Sequence, residues 1–271
     1  MRLRTLPVSV AGVVSAIALA LHAGVFDAVP AVICLLFAVM AQVASNFANE
    51  YFDYKEGRDR PGREGPRRGV TEGEISPEAM KRAVYITLGL AGCLGLSLVG
   101  WGGWWLLVVG ALIAVGVFAY SAGPYPLSTN GLGEVAVVFF FGIIPVNLTY
   151  YVQSLAWSLP VVSVSLAMGL MGANVLIINN YRDVEDDRAV GKRTLCVSLG
   201  RRAMLWLYGA NVAVAGVLLA PASVWVAGAY VVAGAAIWRQ IPRREGARLT
   251  PLLGMSAVAM LGASLGLLVV A

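Results

Sequence analysis

Charge is scarce in this chain. Of its 271 residues, 13% are Asp, Glu, Lys or Arg and 59% are hydrophobic, with a mean hydropathy of +0.76. Soluble domains carry nearly twice that share of charge, so that class is excluded. Short alternating apolar segments are missing too, which excludes a membrane barrel; apolar runs of roughly 18–25 residues recur instead. Cysteine is sparse. Cys34 and Cys93 sit in apolar runs and Cys196 in a loop, and these spacings give neither a disulfide framework nor a metal motif. The single histidine, His22, reads as structural. No small-residue cleavage site follows the first apolar run, which reads as a span and not as a cleaved signal. The sequence pI of 9.3 does not indicate nucleic acid, because the basic residues are confined to loops between spans.

What is there is a series of about nine spans. They run near Val8–Phe26, Val29–Asn49, Ala79–Gly100, Gly102–Ser121, Leu132–Tyr150, Leu159–Tyr181, Ala203–Ala220, Ser223–Trp238 and Pro251–Ala271. The expected fold is all-α: a polytopic membrane protein of about nine transmembrane helices, in two pseudo-repeated halves around a central cavity, forming one domain over 1–271. Every Lys and Arg falls at the N-terminus or in the loops after spans two, six and eight, flanks included, and the opposite loops carry only Asp27. In a nine-span chain these basic segments share one side, which the positive-inside rule makes cytoplasmic. Trp101, Trp104 and Trp105 then form an aromatic belt at the outer interface.

Two polar stretches interrupt the apolar pattern. The first is N-F-A-N-E-Y-F-D-Y-K-E-G-R-D, Asn46–Asp59; it opens a loop expected to last to about Glu78. The second is N-N-Y-R-D-V-E-D-D-R-A-V-G-K-R-T, Asn179–Thr194, within a loop expected over Arg182–Arg202. Each stands at the cytoplasmic end of the second helix of its half, and duplicated halves commonly build a site at their interface. Asp183 and Asp187 are four apart and share a face if helical, as do Asn46, Asn49 or Glu50, and Asp53. Clustered carboxylates repel unless a cation joins them. An all-oxygen set without His or Cys suits Mg²⁺, which keeps several waters and bridges carboxylates to substrate phosphates. Lys55, Arg67, Arg68, Lys192 and Arg193 stand beside the acids, where they can meet a phosphate.

These stretches resemble the motifs of the UbiA superfamily of intramembrane aromatic prenyltransferases. N-E-Y-F-D-Y-K-E-G-R-D resembles its first motif, Asn-Asp-x-x-Asp followed by a further Asp; D-V-E-D-D resembles its second, Asp-x-x-x-Asp. Three segments resemble one branch, the 1,4-dihydroxy-2-naphthoate polyprenyltransferases of menaquinone synthesis. They are R-E-G-P-R-R-G-V-T-E-G-E-I, Y-S-A-G-P-Y-P-L-S-T-N-G-L-G-E and I-I-N-N-Y-R-D-V-E-D-D-R-A-V-G-K-R-T-L. The likeness covers about Asn46 to Gly200. One departure is Glu50, where the family usually has Asp.

The resemblance implies a reaction and a set of roles. Mg²⁺ ions clamp a polyprenyl diphosphate, held by Asp53, Glu50 and Asp59 on one side and by Asp183 and Asp187 on the other. Asn46, Asn49 and Asn180 orient ligands or the diphosphate. Lys55, Arg67, Arg68, Lys192 and Arg193 neutralise the leaving group, and Tyr120, Tyr51 or Tyr181 shields the allylic cation. The ring of 1,4-dihydroxy-2-naphthoate attacks, carbon dioxide is lost and demethylmenaquinone forms. The tail occupies an apolar tunnel open laterally to membrane lipid. The site is expected on the cytoplasmic side of the cell membrane.

Beside this reading, Tyr125 and Pro126 serve either a turn or a substrate loop, and Arg182 either binds phosphate or snorkels to the interface. Glu134 reads as a charge at a helix start in preference to a base. Other functions fit less well. A cation-coupled transporter would place ionisable groups near the span centres, where this chain has none. A phosphatidyl-alcohol transferase would carry Asp-Gly-x-x-Ala-Arg, which is absent. The nearest rival is a UbiA-type enzyme with homogentisate, 4-hydroxybenzoate or a glyceryl lipid as acceptor.

Overall fold

A computed structural model describes residues 6–59 and 67–270; the stretch 63–66 of the first branch-like segment lies outside them. The helices follow in order: α1 (Leu6–His22), α2 (Ala28–Lys55), α3 (Pro77–Ser97), α4 (Val99–Gly102) and α5 (Leu106–Ser121). After a polar loop come α6 (Gly133–Val137), a π turn (Val138–Ile143) and α7 (Ile144–Ser154). Then follow α8 (Leu159–Arg182), α9 (Val184–Ala189), α10 (Leu195–Leu219), α11 (Val224–Trp238) and α12 (Thr250–Val270). Two 3₁₀ turns, Ile241–Arg243 and Gly246–Leu249, join α11 to α12. Among the described residues seven segments are long and apolar enough to cross a membrane, and α1 and α5 are shorter apolar helices. These match the nine expected spans to within a few residues, except at the two motifs and at the start of α10.

The ends of the spans are set by local chemistry. Asp27 caps α2, its carboxylate accepting from Val29 N, and Ser76 caps α3 ahead of Pro77 at the first helical position. Thr194 and Ser223 do the same for α10 and α11. Each supplies an acceptor for an N–H that the helix cannot bond itself. Pro145 has no N–H to offer the carbonyl of Phe141, so the helix widens into the π turn just ahead of it.

The central element is α8. Its apolar stretch is 72% buried against the rest of the protein, whereas that of the α3–α4 segment, Pro77–Gly102, is 17% buried. Lipid tails give no hydrophobic drive between helices, so close approach and polar bonds hold the bundle. A methyl group at Gly142 would collide with the backbone of Gly169 and Ser165, which fixes α8 against the π turn. Inside the bundle Asn211 Nδ2 donates to Asn174 Oδ1 (3.0 Å) and Asn174 Nδ2 to the Tyr208 carbonyl (3.3 Å). His22 Nε2 lies 3.1 Å from the Leu267 carbonyl, in keeping with a structural role. At the same end, Trp101 Nε1 donates to Asp27 (3.3 Å) and Trp105, Tyr151 and Trp157 form one aromatic cluster.

Candidate active site

The first motif is wound into the last turns of α2, which continues past its expected end at Asn49 to Lys55. This puts Gln42, Asn46, Asn49 and Asp53 in one row along the helix, at steps of three and four. Gly57, at φ 65°, then turns the chain, a conformation that favours glycine. The N–H groups of Arg58 and Asp59 bond back to the Asp53 carbonyl (2.8 and 3.2 Å). Asp59 is thereby folded towards Asp53 and does not trail into the loop.

The second motif corrects the expected 182–202 loop. Helix α8 ends at Arg182, and Asp183 (φ −89°, ψ 7°) interrupts the helix before one short further turn, α9. The four-residue relation survives as Asp187 N bonding the Asp183 carbonyl at 2.8 Å. Gly191, at φ 75°, and a bond from Lys192 N to the Asp187 carbonyl (2.9 Å) then return the chain over the motif.

These turns bring the two motifs together. Lys192 Nζ stands 3.7 Å from Asp53 Oδ2 and 3.7 Å from Asp187 Oδ1. Asp53 also faces Arg68 Nη2 and Arg58 Nη1, each at 3.7 Å, and Arg68 Nε lies 3.3 Å from Asp59 Oδ2. Asn49 accepts from Arg68 (3.4 Å) and donates to Ser121 Oγ (3.0 Å). The loop after α5 is drawn in as well: the Ser121 carbonyl accepts from Arg58 (3.3 Å), and the Thr129 carbonyl accepts from Arg193 N (2.7 Å). The end of α2 with its loop, the end of α5 with its loop and the second motif thus meet around Asp53 and its partners. That side chain is buried, and its Oδ1 has no hydrogen bond among the described residues.

A cavity of about 980 Å³ opens from this cluster into the bundle. Its polar end is lined by Asn46, Asn49, Arg68, Asn179, Arg182 and Thr250, and its body by apolar side chains including Phe37, Ile113, Phe140 and Leu148. Along α2 the lining runs from Asn49 to Cys34. At 1.5 Å per residue that is about 22 Å, most of a bilayer core. Gly116 makes room for the Phe140 ring, which a side chain there would strike.

The expected site residues divide. Asn46, Asn49 and Arg68 line the cavity head, and Asp53, Asp59, Asp187 and Lys192 form the charged cluster joined to it through Arg68. Tyr120 lines the cavity, whereas Tyr51 and Tyr181 do not; Tyr51 packs on Phe52 and Tyr181 lies under Arg201. Glu50 is buried but turned to the loop, accepting from Val70 N at 3.2 Å. Asn180 donates to Glu134 (2.8 Å), behind the cavity wall. Asp183 is clasped by Arg182 through bonds of 2.6 and 2.9 Å. Lys55, Arg67 and Arg193 are exposed, and Arg67 pairs with Glu74 at 2.8 Å. The structure does not bring these three to the cluster, because their side chains leave the outer side of the turns that carry the motifs. The Pro126 carbonyl accepts from Asn130 Nδ2 at 2.8 Å, and Tyr125 is exposed, which favours the turn role for both.

Sequence reasoning passed over Arg58, Ser121, Ser9, Gln42 and Thr250. Ser9 Oγ donates to Gln42 Oε1 (3.0 Å) and Gln42 Nε2 to Asn46 Oδ1 (3.2 Å), a polar strip on the cavity wall. Its signal was available: Gln42 precedes Asn46 by four residues inside an apolar span. Nothing in the sequence marks Thr250.

The donor chemistry fits a hard divalent cation, being carboxylate and amide oxygen throughout. Among the described residues no three carboxylate, imidazole or thiolate groups are set to ligate one ion. That arrangement is compatible with Mg²⁺, which is usually held by one or two carboxylates with water and substrate phosphate filling the rest.

A polytopic helical bundle with two acidic motifs over one apolar cavity defines a membrane-embedded class of protein, and comparison gives it a family. Residues 9–251 match the UbiA prenyltransferase family; the chain belongs to it. It is 36% identical over 268 residues to the 1,4-dihydroxy-2-naphthoate octaprenyltransferase of Mycobacterium tuberculosis, covering 96% of this chain and 91% of that one. The Escherichia coli enzyme of the same name is 38% identical over 206 residues, 74% of this chain and 67% of that one. The fold is similar to an apo UbiA homologue of Aeropyrum pernix, with TM-score 0.74, 15% identity and 98% of each chain covered. It is also similar to an Archaeoglobus fulgidus homologue bound to DMAPP and Mg²⁺, with TM-score 0.66, 18% identity and 98% of each chain covered.

Proposed function

We propose that this protein transfers a polyprenyl group from polyprenyl diphosphate to 1,4-dihydroxy-2-naphthoate with loss of carbon dioxide, giving demethylmenaquinone. The observation that carries it is Lys192, set between Asp53 and Asp187 in a cluster that reaches a long, largely apolar cavity through Arg68. The Escherichia coli and Mycobacterium tuberculosis relatives, 38% and 36% identical over 206 and 268 residues, are named for transfer to that acceptor.

Asp53 and Asp187 would hold Mg²⁺ at the junction of the motifs, with Asp59 and Asp183 as the neighbouring carboxylates. Mg²⁺, when bound, supplies charge that stabilises the departing diphosphate. Lys192 and Arg68 bind the diphosphate oxygens, and Asn49, fixed by Ser121, orients them. The bond between the allylic carbon and the diphosphate oxygen breaks, its electron pair leaving with the oxygen. Tyr120 presents its ring to the carbon left positive. The carboxylated ring carbon attacks that carbon. The ring then releases carbon dioxide, and the electron pair of the broken bond restores the aromatic ring. Apolar walls keep water from the cation, and the tail lies along α2 and α5 towards the far end of the bundle and out to lipid. The basic loops support a cytoplasmic position for this head, in a single domain spanning residues 1–271.

The test is turnover by purified protein in nanodiscs with Mg²⁺, a polyprenyl diphosphate and 1,4-dihydroxy-2-naphthoate, read by mass spectrometry. Parallel reactions contain homogentisate or 4-hydroxybenzoate. The expected product is the decarboxylated prenyl-naphthoquinol, abolished by EDTA. Product from another acceptor alone would keep the mechanism and discard the acceptor.

A further inference from the structure

The diphosphate-facing groups lie at the end of α2, in the loop after it and on Lys192. Arg182 occupies a different part of the cavity head, where the end of α8 meets the start of α12. It is buried at 5% exposure yet lines the cavity, so it does not snorkel. A guanidinium carries five N–H groups, and among the described residues four are engaged. Nε donates to Asp183 Oδ1 (2.6 Å), and Nη2 to Asp183 Oδ2 (2.9 Å) and Asn179 Oδ1 (2.9 Å). Nη1 donates to Thr250 Oγ1 (3.2 Å). One Nη1–H remains. Thr250 also lines the cavity; having accepted from Arg182, its hydroxyl still has a proton to donate.

We infer that Arg182 and Thr250 form an anchor for the acceptor's oxygens, with their two donors receiving its carboxylate. The inference rests on the function proposed above. Asp183 already neutralises Arg182, so the pair is a rigid donor and not a bare cation. A diphosphate, with several charges to compensate, gains more from Lys192 and Arg68; a singly charged carboxylate suits a neutralised donor pair. The Ser9–Gln42–Asn46 strip lines the same cavity and adds polar character to the wall that would meet a ring bearing oxygens. Polar side chains in a membrane cavity are costly and mark a function by default, and tail binding uses none of these.

The test uses Thr250→Val, which keeps shape and removes the hydroxyl, with Thr250→Ser as the variant that restores it. Steady-state kinetics separate the KM of acceptor and donor. The expected result is an acceptor KM raised about 3- to 10-fold, the scale of one hydrogen bond, with the prenyl diphosphate KM unchanged and the Ser variant close to the original. Inhibition by 1,4-dihydroxynaphthalene, which lacks the carboxylate, should be equal in Thr250→Val and the unaltered protein, because both changes delete the same contact. An unchanged acceptor KM, a rise in the donor KM alone, or weaker inhibition by the analogue in Thr250→Val would overturn the inference while leaving the proposed function in place. Failure of the unaltered protein to turn over the naphthoate would remove both.

Discussion

Replacing Lys192 by methionine tests the electrostatics of the motif junction. The ammonium is 3.7 Å from a carboxylate oxygen on each side. At an effective dielectric constant of about 20, each pair is worth ~4.5 kcal/mol of gross Coulomb attraction. Desolvation of the charges, with Asp53 side chain 2% and Lys192 side chain 11% exposed, cancels most of it. The net loss on substitution is about 1–3 kcal/mol. A divalent cation binding Asp53 and Asp187 must displace or accommodate that ammonium. The Lys192→Met protein would therefore be less stable without metal but would hold the metal more tightly. Half-saturating Mg²⁺ should fall about tenfold, equivalent to ~1.4 kcal/mol. The assay is thermal unfolding in detergent against Mg²⁺ concentration, which reads binding without turnover. Activity at saturating Mg²⁺ should fall about 10²-fold or more, because a cation facing the leaving diphosphate is lost. Unchanged or weaker Mg²⁺ binding in the folded variant would refute the competition between lysine and metal.

Other substitutions probe other links. Asp53→Asn should keep the fold, as judged by monodisperse elution and unfolding temperature, and reduce turnover by about 10²-fold or more; near-normal product would remove Asp53 from the site. Cys34→Trp, some 22 Å along α2 from Asn49, should shift products towards shorter prenyl tails in a mixed-donor competition read by mass spectrometry. An unaltered distribution would show that the tail does not reach that wall. Gly142→Val drives side-chain atoms into the Gly169 backbone and should cost about 3 kcal/mol or more; an unfolding temperature within a degree of the original would mean that the helices separate without penalty.

Much of this was legible because membrane helices declare themselves. Each span must be apolar over the thickness of a bilayer, so run lengths give the helix count, and loop charges give an expectation of sidedness. The row Asn46–Asn49–Asp53 was legible as well, because α-helical periodicity is local. The status of Lys55, Arg67 and Arg193 was not. All three are basic and adjacent to acids in sequence, but whether a side chain turns into the junction depends on the turns at Gly57 and Gly191 and on the contacts between loops.

Arg182 shows the same division. Its sequence position allowed phosphate binding or snorkelling equally. Burial in the cavity wall is at odds with snorkelling, and the packing of α12 against α8 sets Thr250 beside the guanidinium, a contact the sequence does not show.

The sequence by itself determined a helical membrane protein, its spans, the two acidic motifs and the all-oxygen chemistry they offer. Periodicity and hydropathy are written in neighbouring residues, and the bilayer enforces them. Only the tertiary structure decided that Asp53 meets Asp187 through Lys192, that Tyr120 and not Tyr51 or Tyr181 faces the cavity, and that Arg182 is held in its wall. Those facts depend on how helices distant along the chain pack. Small residues such as Gly142 and Gly169 permit that packing, but their spacing does not name the partner.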